Sequence, residues 1–186
     1  MRTMRTILSQ LLYVARAIDW LNEKVGLLVA WLTLFMVLIG TYNAITRKLS
    51  QTIGVDLSSN AYIELQWYMF SLVFLLGGAY TLLKDEHVRV DVIYARLSPR
   101  KKAWIDLLGT LFFLIPFTLL VLYVGWPIVM ASIHQHEMSP DPGGLPRYPI
   151  KAALLVGFFL LFLQGISEAI KKAAFLAGVL PAEEAA

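Results

Sequence analysis

The chain has 186 residues, of which 58% are hydrophobic and 16% are charged, and its formal net charge is +3. An average soluble domain has roughly 25% charged residues, so this composition indicates an integral membrane protein. The chain has no cysteine, which excludes disulfide exchange, thiolate catalysis and cysteine metal sites, and a charge this small gives no indication of a nucleic-acid partner.

Residues 1–23 predict an amphipathic helix that lies on the membrane surface. Its apolar residues recur at spacings of four and three, and its polar residues fall off that stripe. We expect the stripe to contact lipid or a partner; the alternative is that it packs on the protein's own loops. The stripe consists of Ile7, Leu11, Val14, Ile18 and Leu21.

Four apolar stretches without a charged residue follow, and about 20 helical residues cross the roughly 30 Å core of a bilayer. They hold 22, 19, 27 and 16 residues and cover residues 25–46, 65–83, 107–133 and 152–167. We predict an all-α membrane protein whose single integral membrane domain covers residues 1–186, with no room for a separate soluble domain. Its four transmembrane helices are predicted over residues 25–45, 63–83, 104–133 and 152–170.

Lysine and arginine are distributed unequally between the two sides of this topology. The first, third and fifth extramembrane segments hold twelve of them, and the second and fourth hold four. The positive-inside rule therefore predicts that both termini are cytoplasmic.

The third stretch is longer than a bilayer requires, so this helix should tilt, bend or project beyond the membrane. Ser98 and Pro99 predict its N-cap and first helical residue, and Pro116 and Pro127 are possible bend points. In the second stretch Gly77-Gly78 permits close helix packing or is simply tolerated.

The connection over residues 134–150 contains four of the eight prolines, so we expect an ordered loop. Such a loop either docks a partner or simply connects two helices. His134, His136 and Glu137 lie close together in sequence, but their spacing is not a recognised zinc pattern, and we expect polar loop residues rather than a metal site. No histidine pair lies within the spans, as haem ligation would need.

Charged residues in the middle of a span would mark an ion or substrate path, and the four stretches have none. Thr33, Ser71 and Thr118 are the main polar residues at central positions. The chain is therefore not expected to transport a substrate alone.

Several motifs surround the second span. Glu-Leu-Gln-Trp-Tyr-Met-Phe covers residues 64–70, Leu-Leu-Gly-Gly-Ala-Tyr-Thr-Leu-Leu covers residues 75–83, and Glu-His-Val-Arg-Val-Asp-Val covers residues 86–92. With Leu-Ser-Pro-Arg at residues 97–100 and with Asp106, they resemble the DctQ-like small membrane subunit of the tripartite ATP-independent periplasmic (TRAP) transporters. The four-span layout fits too, so the resemblance covers nearly the whole chain.

The resemblance implies a large membrane subunit that carries the substrate and sodium sites, and a periplasmic protein that delivers the substrate, usually an organic acid. The small subunit then packs on the immobile part of the large one in a bacterial inner membrane; it holds no cofactor, metal or catalytic residue and is not an enzyme. The implied interface or structural residues are Glu64, Trp67, Gly77, Gly78, His87, Arg89, Asp91 and Asp106. The implied periplasmic docking loop, which looks like one branch of the family, contributes Asp141, Arg147 and Tyr148.

An alternative function is a stand-alone four-span protein, either a minimal transporter or a regulatory subunit of another complex. The segment after the second span also has two interpretations. Arg89 and Asp91 would share one face of an extended segment while the neighbouring valines take the other, which favours an ordered interfacial segment. The alternative is a solvated loop whose ion pairs contribute little stability.

Overall fold

The structure is a computed structural model that describes residues 2–54, 59–87 and 94–181, with side chains from residue 9 onward. These residues form a helical bundle. Its helices are α1 (Arg2–Ile53), α2 (Asn60–Leu83), α3 (Pro99–Gly109), α4 (Ile115–His134) and α5 (Tyr148–Leu176).

Four helices of the described residues are long and apolar enough to cross a membrane, which confirms the predicted number of spans. The first and second lie in α1 and α2, and the fourth is α5. The third is the continuous helix Pro99–His134, in which α3 and α4 are joined by a π-helical turn, Thr110–Leu114. Each predicted span falls within one of these helices.

Helix α1 runs for 52 residues, about 78 Å at 1.5 Å per residue, without a break near residue 24. The predicted interfacial helix over residues 1–23 is therefore not confirmed as a separate element, because residues 2–23 form the first part of α1. The sequence around that point has no proline, and the helix continues because this end of α1 packs on α5. Of the predicted stripe, Ile18 is buried, whereas Leu11 and Val14 are 39% and 51% exposed.

Helix α5 is the centre of the bundle. It packs against α1, α2, α4 and the α3 segment, and α1 and α2 also pack against each other. Helix α4 packs chiefly on α5 and lies at the edge of the bundle, so much of its surface is left uncovered by the chain itself.

At Gly157 the backbones of α2 and α5 lie close together. A Cβ atom at this position would lie 2.6 Å from the carbonyl oxygen of Leu75, so only glycine fits between the two backbones. A Cβ at Gly77 would meet only Val29, at an ordinary 3.6 Å, and a Cβ at Gly78 would have no atom within 4 Å. Within this chain, the predicted close packing thus involves Gly157 and not the pair Gly77-Gly78.

The third spanning helix begins as predicted, with Ser98 as N-cap and Pro99 at its start, although the Ser98 side chain makes no capping hydrogen bond. The π-helical turn Thr110–Leu114 ends just before Pro116. Proline has no N–H and its ring collides with the preceding turn, and the wider π turn accommodates both effects. Pro127 is accommodated inside α4.

Candidate functional site

Buried and half-buried polar side chains collect at the two ends of the bundle. We call Glu64, Tyr68, Glu137, Ser139 and Lys151 the loop cluster, because they hold the segment between α4 and α5. We call Asp19, Asn22, Gln164, Ser167, Glu168 and Lys171 the helix cluster, because they join α1 to α5.

Glu64 is the centre of the loop cluster. Its carboxylate is 3% exposed, near the start of α2, and accepts hydrogen bonds from the Ser139 hydroxyl and from the backbone N–H of Leu145, the latter at 2.5 Å. One turn further along α2, the Tyr68 hydroxyl donates to the carbonyl oxygen of Pro146 at 3.0 Å. Helix α2 therefore holds the loop through two side chains that satisfy polar groups of the loop.

Glu137 supplies a second attachment for the same loop. Its carboxylate accepts hydrogen bonds from the Lys151 ammonium of α5 and, at 2.6 Å, from the Ser132 hydroxyl of α4. These bonds, first that of Lys151 and then that of Ser132, lower the pKa of the Glu137 carboxyl below its ordinary value of 4.5. The loop is thus tied to α4 and α5 as well as to α2.

Backbone contacts close the loop on itself. Met138 and Pro146 form an antiparallel bridge, and the N–H of Ser139 donates to the carbonyl of Leu145 at 3.1 Å. The N–H of Arg147 donates to the carbonyl of Glu137 at 2.8 Å. These pairs agree with the prediction that the proline-rich connection is ordered.

The predicted docking residues occupy different parts of this loop. Asp141 is exposed at its tip, where its carbonyl accepts from the N–H of Gly144 at 3.0 Å. Arg147 is half-buried at the N-cap of α5, and the Tyr148 ring lies 6.1 Å from that of His136. Among the described residues, no group of three or more histidine and carboxylate side chains is placed to hold a metal ion.

The helix cluster consists of side chains that bond to one another across α1 and α5. The Asn22 amide donates to the Gln164 carbonyl oxygen at 2.7 Å, and the Gln164 amide donates to Asp19 at 2.9 Å and to Glu168 at 3.2 Å. The Ser167 hydroxyl donates to Asp19 at 2.6 Å. Asn22, Gln164 and Ser167 have no exposed surface, so these bonds take the place of water, although the Asn22 Oδ1 has no partner among the described residues.

Charges complete the helix cluster. The Lys171 ammonium lies 3.3 Å from Asp19 and 2.5 Å from Glu168, and all three side chains are largely buried. An opposite charge at this distance offsets the cost of removing each ion from water. Asn22 and Gln164 were not predicted as site residues. The available signal was that each is a polar residue beside or inside an otherwise apolar helical run.

Two of the predicted residues, Asp106 and His87, do not belong to the helix cluster. Asp106 accepts a hydrogen bond from the Tyr94 hydroxyl at 2.7 Å and lies 3.7 Å from the Lys172 ammonium. His87 is exposed, and Arg89 and Asp91 lie outside the described residues.

The remaining predicted residue, Trp67, is 39% exposed, and its ring centroid lies 4.4 Å from that of Tyr68. Among the central polar residues, the Thr33 and Ser71 hydroxyls donate to backbone carbonyls one turn back in their own helices, at 3.0 and 2.9 Å. Thr118 does the same at 2.9 Å within α4. These hydroxyls are satisfied locally and form no path through the bundle.

The fold and both clusters define a polytopic helical membrane protein in which, among the described residues, the ion pairs of the two clusters lie near the ends of the four candidate spans. The family model described as tripartite ATP-independent periplasmic transporters, DctQ component, matches residues 36–175. The chain belongs to this family and is a small component of a TRAP transporter. Comparisons with curated proteins and with solved structures gave no significant match.

Proposed function

We propose that the chain is the small permease subunit of a sodium-coupled, binding-protein-dependent TRAP transporter for organic acids. It lies in a bacterial inner membrane with both termini in the cytoplasm. It acts as a structural scaffold for the large membrane subunit, which binds sodium and substrate. A periplasmic binding protein delivers the substrate.

The placement of charge carries this proposal. An ion path across a membrane needs ionisable or strongly polar groups near its middle, since isolated charges are costly in hydrocarbon. In the described residues, the carboxylates of both clusters instead lie outside the four uncharged stretches and bond to partners within the chain. Such bonds fix helices and loops in place, and this is the chemistry of a support rather than of a carrier.

The loop cluster supports a docking role for the segment that it holds. Glu64 and Glu137 fix both sides of the loop, while Asp141 at its tip remains exposed. A fixed loop loses little conformational entropy when a partner binds. In this proposal, Asp141, Arg147 and Tyr148 face the periplasmic binding protein.

The large subunit contacts membrane-embedded surface elsewhere in the chain. Trp67, Gly77 and Gly78 lie on α2, and Gly78 has open space beyond its Cα. We assign these residues to this interface, together with the segment that contains Arg89 and Asp91. His87 and Asp106 belong to its cytoplasmic side, and Glu64 has a structural role in holding the loop.

Reconstitution in liposomes tests the proposed function. The chain alone, the chain with its large subunit and binding protein, and the large subunit with the binding protein but without the chain are compared under a sodium gradient. We expect organic-acid uptake only when all components are present. Uptake by the chain alone would instead support a stand-alone transporter.

Single-cysteine labelling tests the orientation, and the absence of native cysteines makes the result simple to interpret. Ser98→Cys and Asp141→Cys place thiols at two exposed positions near opposite ends of the bundle. In intact spheroplasts, an impermeant thiol reagent should modify the cysteine at position 141 and leave that at position 98 unmodified. The reverse pattern would invert the proposed topology.

A further inference from the structure

Helix α4 presents a broad uncovered surface, since it packs chiefly on α5. The side chains of Tyr123 and Trp126 project from it with 81% and 60% of their surface exposed. Around them lies a shallow concavity of about 500 Å³ lined by Leu122, Tyr123, Val124, Trp126 and Pro127, which we call the α4 surface.

Contacts between helices place Tyr123 near the middle of the membrane. Gly125 of α4 lies level with Leu154 and Leu155 of α5, and Gly157 of α5 lies level with Leu75 of α2. These contacts put Tyr123, two residues before Gly125, level with about the middle of the uncharged stretch at residues 65–83 of α2. Either edge of the hydrocarbon core is then about 15 Å away.

At this depth two polar groups of Tyr123 are unsatisfied among the described residues: its hydroxyl lacks a hydrogen-bond partner, and its backbone carbonyl lacks the usual N–H donor four residues later. The Tyr123 hydroxyl has no hydrogen-bond partner in the part of the chain that the structure describes. Pro127 follows four residues later, and proline has no N–H to donate to the Tyr123 carbonyl. Tyrosines at the membrane edge reach headgroups and water, but a hydroxyl near the middle reaches neither.

An acyl chain has no donor or acceptor for these groups, so lipid alone would leave them unsatisfied in a medium where that is costly. A neighbouring transmembrane helix can provide what lipid cannot. Polar side chains such as serine, threonine or asparagine form hydrogen bonds between helices, and small residues allow close approach. The open concavity beside Tyr123 has room for side chains of such a helix.

We propose that the α4 surface is a second membrane-embedded contact with the large subunit, in addition to the one on α2, and that a transmembrane helix of that subunit bonds to the Tyr123 hydroxyl and donates to its carbonyl. This inference rests on the proposed function and adds the location of the contact and its chemistry. It also assigns Tyr123 and Trp126, which lie outside the residues that the sequence resemblance implied.

Photo-crosslinking of the co-expressed complex tests the location. A benzophenone amino acid replaces Tyr123 in one variant and Trp31 of α1 in another. The contacts of Gly26 with Tyr80 and of Gly40 with Gln66 put Trp31 at a similar depth, and it is 61% exposed. We expect a crosslink to the large subunit from position 123 and a much weaker one, or none, from position 31.

The possible outcomes separate the two proposals. If the chain assembles with the large subunit but position 123 gives no crosslink, the assignment of the α4 surface is overturned and the proposed function stays intact. The same follows if position 123 crosslinks only to a second copy of this chain. Failure of the unmodified chain to co-purify with the large subunit overturns the proposed function and this inference with it.

Removal of the hydroxyl tests the chemistry. Tyr123→Phe keeps the ring and should weaken the complex about threefold to tenfold, the range expected for a hydrogen bond between transmembrane helices. Tyr13→Phe is the matched control, because Tyr13 is 73% exposed and lies near the start of α1, outside the α4 surface. Equal affinity of both variants and the parent for the large subunit would show that the hydroxyl is unpaired in the complex.

Discussion

The two polar clusters stabilise different kinds of structure. In the loop cluster, side chains of α2 bond to backbone and hydroxyl groups of one connecting loop, and the pair of Lys151 and Glu137 is about one-third exposed. In the helix cluster, Asn22 and Gln164 are fully buried and join α1 to α5 although they are 142 residues apart in sequence. The loop cluster therefore shapes a surface, whereas the helix cluster fixes the register of α1 on α5.

A substitution between the clusters should disturb both, and it has the largest expected effect. Gly157→Val places side-chain atoms against the Leu75 carbonyl and forces α2 away from α5, at a cost of about 3 kcal/mol or more. Thermal unfolding in detergent should show a strongly lowered Tm. Gly78→Ala is the control and should unfold like the parent, since a Cβ there meets nothing within 4 Å.

Gln164→Leu should break only the helix cluster. The change removes the acceptor of the buried Asn22 amide and one donor to Asp19. This should destabilise the bundle by about 2 kcal/mol. Unfolding of the purified chain measures the loss, and proteolysis of the loop after α4 should be unchanged. Ser71→Ala is the control, because that exposed hydroxyl bonds only within its own helix. If Ser71→Ala lowered the free energy of unfolding as much as Gln164→Leu does, the helix cluster would contribute no more stability than an ordinary hydroxyl within one helix.

Glu64→Ala should break the loop cluster and spare the helices. Ser139 and the N–H of Leu145 both lose their acceptor, so the loop should open more often and be cut on the order of tenfold faster by an added protease. The Tm of the bundle should change little. Asp141→Asn, at the exposed tip, should leave cleavage unchanged. If Glu64→Ala lowers the Tm as much as Gln164→Leu does, the two clusters are not separable.

The smallest effect concerns pH. Because the pKa of Glu137 is lowered in the folded protein, its contribution to loop order is present above the unfolded value near 4.5 and is lost as pH falls through the lower folded value. Hydrogen exchange of the loop should be constant, after correction for the intrinsic rate, from about pH 7 to pH 5 and should increase below that range. Glu137→Gln should remove part of this acid dependence. A variant with the parent's full pH profile would assign the dependence to another group.

The order of apolar and charged residues along the chain was enough to predict the four spans, because an apolar, uncharged run of about 20 residues has few alternatives to crossing a membrane. It was also enough to place Glu64 and the proline-rich connection at one end of the bundle. The partners of Glu64 could not be predicted, since they depend on how the loop folds back over α2. Nothing local in the sequence specifies that fold.

The features that could not be predicted have a common physical cause. The period of the stripe at Leu11 and Val14 predicts a helix, and both side chains are exposed, but the period gives no sign that Asp19 and Asn22 bond to α5. Similarly, Gly77-Gly78 was the conspicuous glycine pair, but close packing depends on what stands opposite, and Leu75 stands opposite Gly157. Periodicity describes one helix, whereas these outcomes depend on two.

The unbroken length of α1 has a mechanical consequence. A continuous helix has no joint at the membrane surface, so it moves as a stiff rod between the cluster at Asn22 and the buried Asn43 near its far end. From Ala15 to Asn43 the rod is about 42 Å long, and a tilt of about 5° around one end displaces the other by about 4 Å. Small changes in how α1 sits on α5 at one membrane surface are thereby carried, enlarged, to the opposite surface.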